Sequence, residues 1–277
     1  MSFGDLTRIN TNLQAMSSLN ALQRTNSEMG LRQMRLATGS RINRAEDDSA
    51  GYTIAKKLQA RVRGQEKALQ NIGDAKSMLT VGEGSLNSVM DILQTMKEKT
   101  VQAANDTLGD TERTAVKNEL DALSSEIGDI LTNSTFNGTS LFSSAAVALT
   151  FQVNAEQGDT FTATITSTTV GGLGVATGSL DVSSATSAGT TLTAIDGAID
   201  DISTRIGSIG DSQKRLSFKQ DNLTVSMNNY ESARSRIEDA DFAKEQMEIV
   251  KLQILQQTGV AALAQANTGP QSVLSLF

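Results

Sequence analysis

Apolar residues recur in steps of three and four at both ends of this chain and alternate singly in one short stretch of its middle. From Leu6 the spacing runs Leu6, Ile9, Leu13 and Met16, then after a phase slip Leu19, Leu22, Met29 and Leu36. This is the pattern of an amphipathic helix in a packed bundle, and Gly39 closes it. Ser40 to Ala50 carries Arg41, Arg44, Glu46, Asp47 and Asp48 and is predicted as a polar connector. A second, longest helix begins near Tyr52, with Leu58, Val62, Leu69, Ile72, Leu79, Leu86, Met90 and Leu93 in one register, interrupted by Gln65, Lys76 and Glu83. Its ~45 residues span roughly 65–70 Å, too long for a globular helix with no partner alongside. Gly82 and Gly84 each cost about 1 kcal/mol against Ala and mark its weak point.

Thr107-Leu108-Gly109-Asp110 is predicted as a turn, with Asp110 or Thr111 suited to cap the next helix. That helix shows Val116, Leu120, Leu123, Ile127 and Ile130 on one face and ends at Asn133 to Gly138. Leu149, Phe151 and Val153 then alternate with polar neighbours, as do Phe161, Ala163 and Ile165 after Gly158-Asp159. That pattern predicts a β-hairpin with one apolar face. Thr166 to Thr191 has no clean period and is predicted as a surface loop or small irregular excursion. Helix returns near Thr193, with Ile195, Ile199, Ile202, Ile206, Ile209, Leu216, Leu223, Met227, Tyr230 and Ile237 in register. A last segment carries Met247, Val250, Ile254, Ala261 and Ala264 and ends at Gly269-Pro270, before a tail of Val273, Leu274, Leu276 and Phe277. The expected fold class is mainly α, with long antiparallel helices forming a coiled-coil rod and bundle, and a small β-hairpin region in the middle.

Composition narrows what such a rod does. Over 277 residues the apolar fraction is 38% and aromatics make up 4%, enough for a narrow seam and short of a thick globular core. His, Cys and Trp are all absent. The commonest general base and transition-metal ligand, disulfides, zinc-thiolate sites and cysteine nucleophiles are therefore excluded. No nucleophile–base pair or phosphate loop supports an enzyme, and no cofactor or metal is implied. A net charge of −7 argues against nucleic acid or anionic lipid as a partner. No stretch approaches the ~18 apolar residues of a membrane span, and the first residues do not resemble a cleaved signal peptide.

Arg41-Ile42-Asn43-Arg44-Ala45-Glu46-Asp47-Asp48-Ser49-Ala50-Gly51 resembles the N-terminal signature of bacterial flagellins, and Ile9-Asn10-Thr11-Asn12 and Phe136-Asn137-Gly138 resemble further family stretches. Arg234-Ser235-Arg236-Ile237-Glu238-Asp239-Ala240-Asp241-Phe242, Ala264-Gln265-Ala266-Asn267 and Pro270-Gln271-Ser272-Val273-Leu274-Ser275-Leu276 are similar to its C-terminal end. The resemblance covers roughly residues 1–142 and 193–277. It implies three parts. Residues 1–45 and 236–277 form a terminal coiled-coil inner-tube domain, and 46–142 with 193–235 an outer-tube helical bundle. Residues 143–192 form the hairpin and a Ser/Thr-rich surface-exposed loop, with no separate outer domain.

By that resemblance the chain is a structural subunit that polymerises into the extracellular flagellar filament used for swimming. It is exported unfolded through the flagellar secretion channel, with its C-terminal helix covered beforehand by an export chaperone. Its partners are then further copies of itself, the chaperone, and the filament cap and hook-junction proteins. The assembly seam is expected at Leu6, Ile9, Leu13, Met16, Ile237, Met247, Val250, Ile254, Leu274 and Leu276. Recognised flagellins contact a host toll-like receptor through the stretch matching Leu93, Gln94, Met96, Lys97, Glu98 and Val101, and through a Glu matching Glu119. Thr95 and Lys99 stand where recognised members carry Arg and Leu, which implies weak recognition; the plainer reading of the same face is a subunit contact. The nearest rival function is a hook–filament junction protein of the same superfamily, and a rival of another class is a secreted adhesin or immune ligand. Segment 160–194 is read either as an O-glycan carrier or as an unmodified polar loop. The Glu46-Asp47-Asp48 run is read as solvated or salt-bridged to Arg41 or Arg44 rather than as a cation site.

Overall fold

The computed structural model describes residues 11–142 and 146–274, with side chains as far as 268. The described elements are α1 (Leu13–Thr38), α2 (Ser49–Ala103), α3 (Asp110–Asn133), β1 (Thr135–Phe136), β2 (Thr139–Ser140), β3 (Val147–Gln152), β4 (Thr160–Ile165), α4 (Ala185–Glu238) and α5 (Phe242–Leu274). They divide into two compact units. One takes residues up to Ala60 together with those from Asn229 onward, and the other is Arg61–Asn228.

In the first unit α1 and α5 run antiparallel, approaching more closely than any other pair of described helices. Paired positions descend in α5 as they ascend in α1: Asn12 Nδ2 donates to the Ala266 carbonyl at 2.9 Å, Gln256 donates to Asn26 at 2.9 Å, and Arg32 reaches Glu245 at 3.0 Å. Half-buried side chains (Ala15, Ser18, Leu22, Thr25, Met29) line the facing side of α1 at strict three–four spacing. The Asn12 side chain caps α1 by accepting from the Ala15 N–H, and Gly39 ends it in the left-handed region at φ 71°, where a Cβ would be strained.

The second unit packs the longer parts of α2 and α4 with α3 and the hairpins around one core. α4 contributes Ile195, Ile202, Ile209, Leu216 and Leu223, each seven residues from the last, and α2 contributes Ile72, Leu79, Leu86 and Leu93 in the same rhythm. Heptad spacing keeps one stripe turned inward along both helices. α2 and α4 are antiparallel, tied by Lys97–Asp196 at 2.7 Å, Gln213–Glu83 at 2.9 Å, Lys76–Ser217 at 3.1 Å and Gln65–Ser226 at 3.1 Å. β3 and β4 pair from Val147↔Ile165 to Gln152↔Thr160, and β4 buries Phe161, Ala163 and Ile165. Asn137 and Gly138, both at positive φ, form the two-residue turn joining β1 and β2.

Four expectations are corrected. Asp110 is already inside α3, whose N-cap is Gly109 with no side-chain hydrogen bond, so neither Asp110 nor Thr111 caps it. The stretch after β4 is not a mere surface loop. Leu173, Val175, Leu180 and Val182 are buried in the common core, redirected by Gly174 and Gly178 at positive φ. α4 starts at Ala185, about two turns before Thr193, because Ser184 accepts from the Ser187 N–H and starts the helix. α5 does not stop at Gly269-Pro270 but continues to Leu274. Gly82 lies within the continuous α2. It lies where Ile209, Phe142 and Ile165 approach, and a Cβ there would meet them at 3.7–3.8 Å.

Candidate assembly interface

Two breaks in the helices of the first unit are stitched to each other. The loop from Gly39 to Asp48 and the turn from Asp239 to Asp241 form an antiparallel bridge, Ser40↔Asp239. The Arg41 N–H donates to the Glu238 carbonyl at 2.6 Å, the Ala240 N–H to the Gly39 carbonyl at 2.9 Å, and the Arg41 guanidinium to the Ile237 carbonyl at 2.7 Å. Asp47 closes its own loop by accepting from the Asn43 and Arg44 N–H groups, both at 2.9 Å. The Arg44 bond and then the Asn43 bond hold its carboxyl below the ordinary carboxylate value. Asp48 accepts from the Gly51 N–H at 2.8 Å and starts α2, and Glu46 pairs with Arg44 at 3.1 Å. All three acids of the run therefore serve the loop itself.

Just beyond this clasp lies a charged rung inside the α1–α5 seam. Glu245, 5% exposed, accepts from Arg32 with both oxygens at 3.0 Å, and Arg35 stands 3.8 Å away. A carboxylate that deep is tolerated because two guanidinium groups converge on it. Sequence periodicity passed over Glu245; its only signal was an acid in the first turn of the helix.

The expected seam residues separate into groups. Ile249 and Leu252, not singled out from the sequence, are the buried apolar side chains among the described residues of α5. Met247 (66% exposed), Val250, Ile254 (58%), Leu13 and Met16 (54%) all face outward, and Ile237 is half-buried. They do not line the α1–α5 contact. Leu6, Ile9 and Leu276 lie outside the described residues, as does the side chain of Leu274.

In the second unit Leu93 and Met96 are fully buried core side chains that offer nothing to a surface. Gln94, Glu98, Val101 and Glu119 are exposed. Lys97 holds Asp196 at 2.7 Å, and Lys99 holds Glu119 at 2.8 Å.

Comparison with known proteins decides the family. Profiles of the bacterial flagellin N-terminal and C-terminal helical regions match residues 9–146 and 192–277. The flagellin of Halalkalibacterium halodurans is 36% identical over 97% of this chain and 99% of its own length. The chain belongs to the bacterial flagellin family. The flagellin of Bacillus subtilis is likewise 36% identical, covering 98% of this chain and 99% of the relative. A solved structure of a putative flagellar hook-associated protein from Vibrio parahaemolyticus aligns with TM-score 0.58 at 17% identity, over 70% of this chain and 100% of that one. That likeness concerns the fold alone. This flagellin, short and without a large variable domain, is a structural subunit of the flagellar filament. Among its described residues no helix is long and apolar enough to cross a membrane.

Proposed function

We propose that the chain assembles by burying the outward apolar stripe of its paired terminal helices against neighbouring copies. One observation carries this reading: most of the exposed large apolar side chains of the described residues sit on α1 and α5. Burial is worth about 25 cal/mol per Å² of apolar area, and a monomer rarely leaves such a stripe in water unless something covers it. Leu6, Ile9, Leu274 and Leu276 extend the same seam toward the termini. In this reading residues 1–45 and 236–277 form the inner tube, 46–142 with 193–235 the shell outside it, and 143–192 the outer surface. A contact between unlike faces that does not close gives an open helical polymer.

The same α5 stripe suits a cytoplasmic export chaperone before assembly, which would hold the chain unfolded for export. The filament cap and hook-junction proteins would meet the same terminal helices. For a toll-like receptor, Gln94, Glu98, Val101 and Glu119 are the surface residues on offer, and recognition is weak because Lys99 already occupies Glu119. A receptor-reporter assay showing full potency for the monomer contradicts that part. The assembly reading is tested by Met247→Asp with Ile254→Asp. The doubly substituted chain is expected to fold its second unit normally and to fail to extend filament seeds. Elongation at the wild-type rate contradicts the reading.

A further inference from the structure

In the second unit α2 and α4 are each weakened at one point, and the two points stand at the same level. Gly84-Ser85 is the only Gly–Ser step in α2, and Gly207-Ser208 the only one in α4. Gln213 donates to Glu83 at 2.9 Å, and a Cβ on Gly82 would stand 3.7 Å from Ile209. The two steps, with Gly82 and Gly210 beside them, therefore share one cross-section of the antiparallel helices. Both serine hydroxyls turn back on their own helix, Ser85 to the Val81 carbonyl at 3.1 Å and Ser208 to the Thr204 carbonyl at 3.0 Å. Such bonds compete with the backbone ladder, and Gly–Ser pairs are places where helices kink.

Packing within the chain does not require most of these glycines. Among the described residues nothing would come within 4 Å of a Cβ on Gly84, Gly207 or Gly210. Each leaves its helix about fivefold easier to open than alanine would, and the three together about a hundredfold. The level is held shut from the side instead, where Leu86, Ile209, Phe142 and Ile165 are buried. Side-chain packing is complete at this cross-section while the backbone is at its weakest in both helices at once.

We propose that this level is the point at which the second unit opens first. Helix bonds break there ahead of the rest, and unfolding spreads outward along helices of 55 and 54 residues that would otherwise fray only from their ends. Its use rests on the reading that the chain is exported unfolded: the weak level is where that unfolding begins.

The test compares three full-length monomers. One is the wild type, and one carries Gly84→Ala, Gly207→Ala and Gly210→Ala. The control carries Gly73→Ala, Gly189→Ala and Gly197→Ala, positions equally open to a Cβ but away from this level. Native-state amide exchange in the wild type is expected to be faster at 80–86 and 205–211 than at 90–96 and 216–222. The first variant is expected to slow it there about a hundredfold, and the control to leave it unchanged. Secretion from living cells is expected to be slower for the first variant than for the control, although both raise the urea midpoint. Exchange at 80–86 and 205–211 no faster than at the flanks, or slowed equally by both variants, overturns the opening point. Equal secretion of two variants whose exchange differs overturns its part in export and leaves the filament reading standing. Wild-type chain that leaves cells lacking the flagellar export apparatus as fast as intact cells overturns the export reading itself.

Discussion

Arg41 donates its backbone N–H to the carbonyl of Glu238 at 2.6 Å, across 197 positions of sequence. The two stretches that resemble the family signatures are thus in direct contact, one completing the backbone hydrogen bonds of the other. Substituting Arg41 by Ala removes only the guanidinium bond to the Ile237 carbonyl and should cost about 1 kcal/mol. Arg41→Pro also deletes the bridging N–H and should cost about 3 kcal/mol or more. Chemical unfolding of the monomer, followed at the first unit, distinguishes the two.

Among the described residues Glu245 is the one charge buried in the α1–α5 seam, with side-chain exposure of 6% against 29% for Arg32 and 15% for Arg35. Glu245→Ala leaves two guanidinium groups without their acceptor and should destabilise the seam by about 3 kcal/mol, the low end for a broken buried pair because Arg32 keeps some water. The melting temperature of the filament reports it. A change indistinguishable from that of an exposed control such as Glu248→Ala contradicts the role given to the rung.

The acid side of the stability profile follows from Asp47, Asp121 and Asp181, all held below their ordinary carboxylate values. The Arg44 and Asn43 N–H groups do this for Asp47, chiefly the Lys117 side chain for Asp121, and chiefly the Ser183 N–H for Asp181. A carboxylate whose folded-state pKa is depressed contributes stability that is complete above its unfolded value of about 3.9 and is lost as pH falls through the folded value. Hydrogen-exchange protection of the Asn43, Arg44 and Gly178 amides should therefore hold at pH 5 and decline below about pH 3.9. Protection unchanged down to pH 2.5 contradicts the assignment.

Arg113 is buried at 6% exposure and turned back on the end of α2. It donates to the carbonyls of Ala103, Asn105 (3.0 Å) and Leu108 (3.4 Å), closing the α2–α3 turn. Arg113→Met keeps the length and loses these bonds, so it should cost about 1–3 kcal/mol in urea unfolding of the second unit. Arg63→Met, at an exposed position, should cost within about 0.5 kcal/mol.

The mainly α fold and the β3–β4 hairpin were legible because their apolar residues are large and strictly periodic. What escaped had a physical reason in each case. The first two turns of α4 present Ala188 and Thr191 to the core, residues too small or polar to register as a stripe. Leu173, Val175, Leu180 and Val182 reach the core from a segment whose direction is set by left-handed glycines, so their spacing follows no helix or strand period. On α5 apolar side chains are distributed around the whole circumference. Sequence alone cannot tell that Ile249 and Leu252 turn inward while Met247 and Ile254 turn outward. The stripe read there was real as a pattern, and it is the face left over after α1 has taken the other.

The most direct measurement of the central claim is peroxide oxidation of Met16 and Met247, read by peptide mass, in monomer and in assembled filament. Both thioethers are exposed in the single chain, at 54% and 66%, whereas Met78 and Met96 are fully buried. Assembly through the terminal helices predicts rapid oxidation of Met16 and Met247 in the monomer and strong protection in the filament, with Met78 and Met96 slow in both. Equal oxidation of Met16 and Met247 in monomer and filament would contradict it.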